Sequence, residues 1–332
     1  MARAVKDATT PGILLVDKPQ GITSHDVVQR ARRALGTRKV GHAGTLDPMA
    51  TGLLVLGAEW ATRLLTFIVG LDKTYEATLR LGMPTDSDDA DGVETSRVDA
   101  AALAAIEDEQ IFVGIAALTG AISQVPSTVS AIKIDGRRAH ALVRAGETVE
   151  LKPREVTVSR FDVLAMRRAP GVLDLDVVVD CTSGTYIRAL ARDLGAGLGV
   201  GGHLTALRRT HIGTFDVVDA VSVDDIAPSA LLDPALVAAK VLGRLDVSHE
   251  EASDLWVGQR IPGRASEVVG EIAAAVDPNG RLVGVVERRG GAVKSRMNVP
   301  PPTPPRARQR ETPSTPSTPS TQTTQDTQEE QQ

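Results

Sequence analysis

Apolar positions along this chain follow two main patterns, unbroken runs and a helical period. Residues 13–16, Ile-Leu-Leu-Val, and 53–56, Leu-Leu-Val-Leu, are short unbroken apolar runs. Runs of that length between turn residues predict buried strands. The turn Asp17-Lys18-Pro19-Gln20-Gly21 closes the first. A 3.6-residue period then takes over. Thr23 with Asp26 three residues on forms a capping box that predicts a helix start. Val27, Val28, Ala31, Ala34 and Leu35 line one face of that helix, and Gly36 stops it. The arginines of this stretch lie mostly off the apolar stripe. Further strands are predicted over 74–81, 156–164 and 172–181, and helices over 99–109 and 186–198. This mixture predicts an α+β fold, its sheet mainly antiparallel with flanking helices.

Residues 124–152 interrupt the pattern with basic residues, a turn at Ile134-Asp135-Gly136-Arg137 and a short helical stretch ending at Gly146. They read as an insertion in a first domain that runs to about residue 240. A second, small β domain is predicted over 243–298. Ser248 and Glu251 cap a helix there, and strands at 271–276 and 282–286 flank the turn Asp277-Pro278-Asn279-Gly280. From Pro300 the chain becomes Pro, Thr, Ser and Gln, a composition that cannot bury a core, so 300–332 is expected to be a disordered tail.

Composition narrows the class. Hydrophobic residues make up 42% of the 332 residues but aromatics only 2%, so the core must be built from Ala, Val, Leu and Ile. No apolar run approaches the ~18 residues of a membrane span. The N-terminus lacks a signal-peptide stretch, and the single cysteine, Cys181, cannot form an internal disulfide; a reducing cytoplasm fits. The net charge of −5 argues against a nucleic-acid partner only weakly, because the charge is uneven. Basic residues cluster at Arg30, Arg32, Arg33, Arg38 and Lys39, at Arg137 and Arg138, and at Arg208 and Arg209; acids cluster from Asp86 to Asp91.

The chemistry-bearing segment is Gly41-His42-Ala43-Gly44-Thr45-Leu46-Asp47-Pro48-Met49-Ala50-Thr51-Gly52. It sets one carboxylate, Asp47, on a stiff turn just before a buried strand, where it can serve as nucleophile or base. Two tyrosines occur in the whole chain: Tyr75 in Asp72-Lys73-Thr74-Tyr75-Glu76-Ala77, and Tyr186 in Gly184-Thr185-Tyr186-Ile187-Arg188. These strings, in this order, resemble the motifs of the TruB-type pseudouridine synthases, which isomerise a uridine in tRNA. The resemblance spans roughly residues 12–240 and, more weakly, a PUA-like RNA-binding module up to about 298.

That resemblance implies a role for each residue. Asp47 takes the catalytic position. Tyr75 would stack on the target base and remove the proton from its C5. Arg188 would pair with Asp47, and such a partner lowers a carboxylate pKa. Tyr186 and Leu207 would line the base pocket. Lys18 and Pro19 would support the active-site loop, and His42 would stack within the RNA loop. The basic pairs Arg32/Arg33 and Arg208/Arg209 are candidate contacts for the RNA backbone. The implied substrate is the T stem-loop of tRNA, modified at position 55 by a stand-alone, monomeric enzyme with no cofactor, metal or guide RNA. Two positions depart from the family pattern: Ser127 where a second proline is common, and His140 where a tyrosine is common.

Other chemistries fit less well. An aspartyl phosphatase wants a second carboxylate two residues after the nucleophile, where Met49 stands. A calcium loop starting at Ser87 fails because its twelfth position is Val98. His42, His203 and His211 lack metal-ligand spacing. The alternative of another class is a non-catalytic RNA-binding or RNA-folding protein that keeps the fold.

Overall fold

In a computed structural model the described residues are 10–127, 133–134, 137–138 and 151–301. Most of the segment read as an insertion, including His140, and the tail from 302 lie outside them.

In chain order the strands are β1 (Gly12–Lys18), β2 (Val40–His42), β3 (Thr51–Ala58), β4 (Lys73–Leu81), β5 (Gly120–Gln124), β6 (Lys133–Ile134), β7 (Arg137–Arg138), β8 (Arg154–Ala169) and β9 (Val172–Cys181). They continue as β10 (Gly202–Ile212), β11 (Phe215–Asp216), β12 (Val221–Ser222), β13 (Arg244–Asp246), β14 (Ile261–Pro262), β15 (Ile272–Val276), β16 (Leu282–Arg289) and β17 (Ala292–Asn298). The helices are α1 (Ser24–Ala34), α2 (Leu65–Ile68), α3 (Ala100–Ala104), α4 (Asp108–Ala117), α5 (Ile187–Gly197), α6 (Pro234–Leu242) and α7 (His249–Trp256).

A ten-stranded sheet runs in the order β12-β1-β3-β10-β4-β9-β8-β5, with β2 on β3 and β11 on β10. The pairs β1–β12 and β3–β10 are parallel and the rest antiparallel, as the predicted mixed, mainly antiparallel α+β fold requires. A five-stranded sheet, β13-β15-β16-β17-β14, follows. The turn predicted at 134–137 is bracketed by the paired strands β6 and β7.

The two strand patterns have different physical causes. Along β1 and β3 successive residues pack into opposite cores. Leu14, Val16, Leu54 and Leu56 meet Val27, Val28 and Ala31 of α1. Ile13, Leu15, Leu53 and Val55 share a core with α2, α6 and residues of the second sheet, Ala274, Val276 and Val285. A strand covered on both faces needs an unbroken apolar run. β4 and β9 instead alternate. Tyr75, Ala77, Leu79, Leu175, Val177 and Val179 face the core under α4 and α5. Their other face carries polar pairs such as Arg80–Asp174 and Thr78–Asp176, both 2.7 Å.

Helix α1 begins with the predicted capping box at Thr23 and Asp26. The helix predicted over 99–109 is instead two: α3 ends at Ala104, and Glu107 caps a separate α4 that continues to Ala117. Glu107 and Gln110 form their own capping box, a second start signal inside a stretch read as one element. β10 and α6 were not predicted. Among the described residues no helix is long and apolar enough to cross a membrane.

Candidate active site

Four elements converge on Asp47. The loop between β2 and β3 carries it and is fastened from below and from the side. Ser24, at the first position of α1, accepts from Leu46 N at 2.9 Å through its Oγ and donates to Leu46 O at 3.1 Å. Lys18, fully buried at the end of β1, donates from Nζ to Ile22 O at 2.7 Å, Pro19 O at 2.9 Å and Pro48 O at 3.3 Å. Gly21 N adds a second donor to Pro48 O, at 2.9 Å. The residue after Asp47 is thus clamped by the Lys18–Gly21 turn. Pro19 contributes its carbonyl while its ring stays exposed.

Gly52, the second residue of β3, takes φ +100°, and a Cβ there would stand 2.3 Å from the Arg209 carbonyl oxygen. Only glycine tolerates both that dihedral and that approach.

Arg188, in the first turn of α5, meets the carboxylate. Its Nε lies 3.0 Å from Asp47 Oδ2, its NH1 3.2 Å from Asp89 Oδ2, and its NH1 donates to Ser87 O at 2.8 Å. A cation at a helix N-terminus opposes the helix dipole; two carboxylates offset that here. Asp89 is the residue that sequence reasoning missed. It sits in the acid cluster 86–91, buried, accepting from Ser87 Oγ at 2.5 Å and Asp91 N at 3.2 Å. The only signal was the clustering of acids, which by itself also describes a solvated loop. Gln124 was missed as well. It is buried at the end of β5 and grips the Tyr186 backbone both ways, accepting from Tyr186 N at 2.8 Å and donating to Tyr186 O at 3.1 Å.

Asp47, Tyr75, Tyr186, Arg188 and Leu207 line one recess of about 260 Å³, together with Lys73 and Arg209. The Asp47 side chain retains about a third of its exposure, 35%, on the recess side of an otherwise enclosed position. Burial lifts its carboxyl above the ordinary value, and the Arg188 guanidinium offsets this only in part. Arg188 pairs with Asp47 and pulls its pKa down as expected of such a partner, but desolvation outweighs the ion pair. Burial also raises the Tyr75 phenol, with Arg209 opposing. It brings the amines of Lys18 and Lys73 down to about 8. Lys73 spends its protons on Val69 O at 2.7 Å and Leu71 O at 2.5 Å.

Of the remaining predicted residues only Arg209 lines the recess. His42 sits on β2 opposite Leu56, half-buried, with burial lowering its pKa. Arg33 is exposed on α1, while Arg32 turns back to donate to Val40 O at 3.2 Å. Arg208 pairs with Asp17, NH2 to Oδ2 at 2.7 Å and NH1 to Oδ1 at 3.0 Å. Arg209 corrects the reading of the Arg208/Arg209 pair as a phosphate contact. It is 1% exposed and donates to Leu53 O at 2.8 Å, Gly44 O at 3.1 Å and Thr45 O at 3.5 Å. Alternation along β10 sends it inward, which two adjacent arginines in a sequence do not reveal.

A carboxylate held by a buried arginine, beside two tyrosines and a leucine in a one-base-sized recess, suits chemistry on a small planar group. Similarity points the same way. Residues 32–187 match the model of the TruB family pseudouridylate synthase N-terminal domain. Residues 188–244 match a tRNA pseudouridylate synthase B C-terminal domain, and 242–300 a tRNA pseudouridine synthase II C-terminal domain. The tRNA pseudouridine synthase B of Leifsonia xyli subsp. xyli (strain CTCB07) is 56% identical over 291 residues, covering 87% of this chain and 96% of that protein. That of Rhodococcus jostii (strain RHA1) is 51% identical over 297 residues, covering 88% and 95%. A chain in the structure of an H/ACA RNP bound to a substrate RNA containing 2'-deoxyuridine superposes with a TM-score of 0.64 at 23% identity, over 87% of this chain and 85% of that one, and so shares the fold. With 56% identity to the Leifsonia relative over 87% of its length, this chain belongs to the TruB family of pseudouridylate synthases.

Proposed function

We propose that this protein isomerises uridine to pseudouridine at position 55 in the T loop of tRNA, with Asp47 as the catalytic carboxylate. The observation that carries the reading is the Asp47–Arg188 pair at the end of a recess walled by Tyr75, Tyr186 and Leu207. A recess of this size admits a base but not a folded RNA, so the uridine leaves its stack to reach Asp47. Stacking on Tyr75 offsets part of that cost, and His42, at the loop edge, contributes from the RNA side.

The reaction breaks N1–C1′, turns the base and joins C5 to C1′; C5 loses its proton and N1 gains one, so the product is an isomer. Attack on the sugar, attack on the base and removal of a sugar proton all use the same carboxylate. Tyr75 takes the C5 proton in this reading. Lys18, Pro19 and Ser24 keep the Asp47 loop in place, and Arg33 with its basic neighbours on α1 attracts the RNA backbone. The enzyme works alone, as a cytoplasmic monomer, without guide RNA, metal or nucleotide. The residues to about 240 form the catalytic domain, and the module to 298 binds RNA.

The test is to incubate purified protein with an unmodified tRNA transcript and map pseudouridine. Product at position 55 without additions is expected. Modification elsewhere, strict dependence on a guide, or RNA binding without any product would overturn the reading.

A further inference from the structure

Arg209 is the group in the recess whose charge has no assigned use. In the sheet register it stands opposite Tyr75, so the two side chains leave the same face side by side. It donates to three backbone carbonyls, two from the start of the Asp47 loop and one from β3. The nearby carboxylates are engaged elsewhere: Asp47 and Asp89 on Arg188, Asp17 on Arg208. A buried cation met by neutral dipoles is costly to keep. A guanidinium fork explains the three carbonyls, but a neutral amide could serve some of them. Both side chains line the recess, and the Arg209 charge opposes the burial that raises the Tyr75 phenol. The nearby Asp47 carboxylate disfavours negative charge on the phenol oxygen.

We propose that Arg209 is a positioning residue that acts through the Tyr75 hydroxyl. One guanidinium ties the phenol oxygen and the start of the Asp47 loop to the same rigid strand, and its charge stabilises negative character on that oxygen. The catalytic part of this inference rests on the function proposed above.

Two measurements test it. The chain has two tyrosines, so replacing both with 3-fluorotyrosine gives two fluorine resonances, and Tyr186→Phe assigns them. The ring fluorine also lowers the phenol pKa and brings titration to milder pH. Arg209→Met keeps the stem and removes the charge; Arg209→Lys keeps the charge and loses the fork. The expected result is a Tyr75 midpoint raised by about one pH unit or more in Arg209→Met, a tenfold change in proton affinity, with a smaller rise in Arg209→Lys and Tyr186 unmoved. In single-turnover assays Arg209→Lys should slow product formation at least about tenfold, and adding it to Tyr75→Phe should cost less than about threefold more. If Arg209→Met does not fold, Arg209→Lys carries both measurements. A Tyr75 midpoint unchanged in a folded Arg209 variant, or rate losses that multiply in the double variant, overturns the proposal. If the parent makes no pseudouridine, the proposed function fails, while the fluorine titration still decides whether Arg209 acts on Tyr75.

Discussion

Arg188 Nε lies 3.0 Å from Asp47 Oδ2, and the same guanidinium reaches Asp89 with its NH1. The arginine comes from a helix start and Asp47 from an inter-strand loop, so tertiary packing alone brings them together. Because Asp89 and Ser87 O hold Arg188 independently, the arginine keeps its place if Asp47 is neutralised.

Asp47→Asn should therefore abolish pseudouridine formation and leave a folded protein. The outer basic surface is untouched, so tRNA should bind within about tenfold of the parent, roughly 1.4 kcal/mol. Product mapping beside a filter-binding titration checks both parts. Normal turnover would refute the assignment of Asp47; a folded variant that binds no tRNA would make Asp47 a recognition residue.

Asp47 should also leave a signature in pH. Burial holds its folded-state pKa above the ordinary 3.8. Between those two values the folded protein keeps a proton that the unfolded chain has lost. The stability from this group is thus fully present at low pH and falls as pH rises through that window. Thermal melts should show the parent losing ground to Asp47→Asn from about pH 4 upward. The rate should move the opposite way, with an acid limb above the ordinary carboxylate range. A single-turnover rate that stays flat down to about pH 4 would contradict a catalytic, raised carboxylate.

Lys18→Met should damage the loop more than RNA binding. It strips a buried donor from the carbonyls of Pro19, Ile22 and Pro48. Unmet buried acceptors cost about 1–3 kcal/mol each, offset here by removing a desolvated charge, so a net loss of about 2–3 kcal/mol is expected. Chemical denaturation measures this, and the single-turnover rate should fall while tRNA affinity changes little. A variant of parental stability would show that the Lys18 contacts do not hold the loop.

Salt dependence should separate the two basic clusters. Arg33 and Arg38 are exposed, so Arg33→Gln with Arg38→Gln should flatten the slope of log affinity against log salt by about one unit per lost phosphate contact. Arg208→Gln breaks a bidentate pair with Asp17 and should leave that slope nearly unchanged. The reverse ranking would place the RNA on the β10 side.

Local signals in the sequence were sufficient wherever one element contains its own cause. The apolar run of β3 announced a strand buried on both faces, Thr23 and Asp26 announced the start of α1, and the segment from Gly41 to Gly52 singled out the carboxylate that Arg188 meets. The break between α3 and α4 was also encoded, in the capping box of Glu107 and Gln110, but an apolar period running through it hid the signal. Tertiary structure alone decided which way neighbouring side chains turn and which distant groups meet. Arg208 and Arg209 are adjacent and chemically alike, yet strand alternation puts one in an ion pair at the surface and the other beneath the Asp47 loop. The direction of the Asp47 pKa also depended on the fold, because desolvation is a property of the packed recess and outweighs the arginine that sequence reasoning supplied.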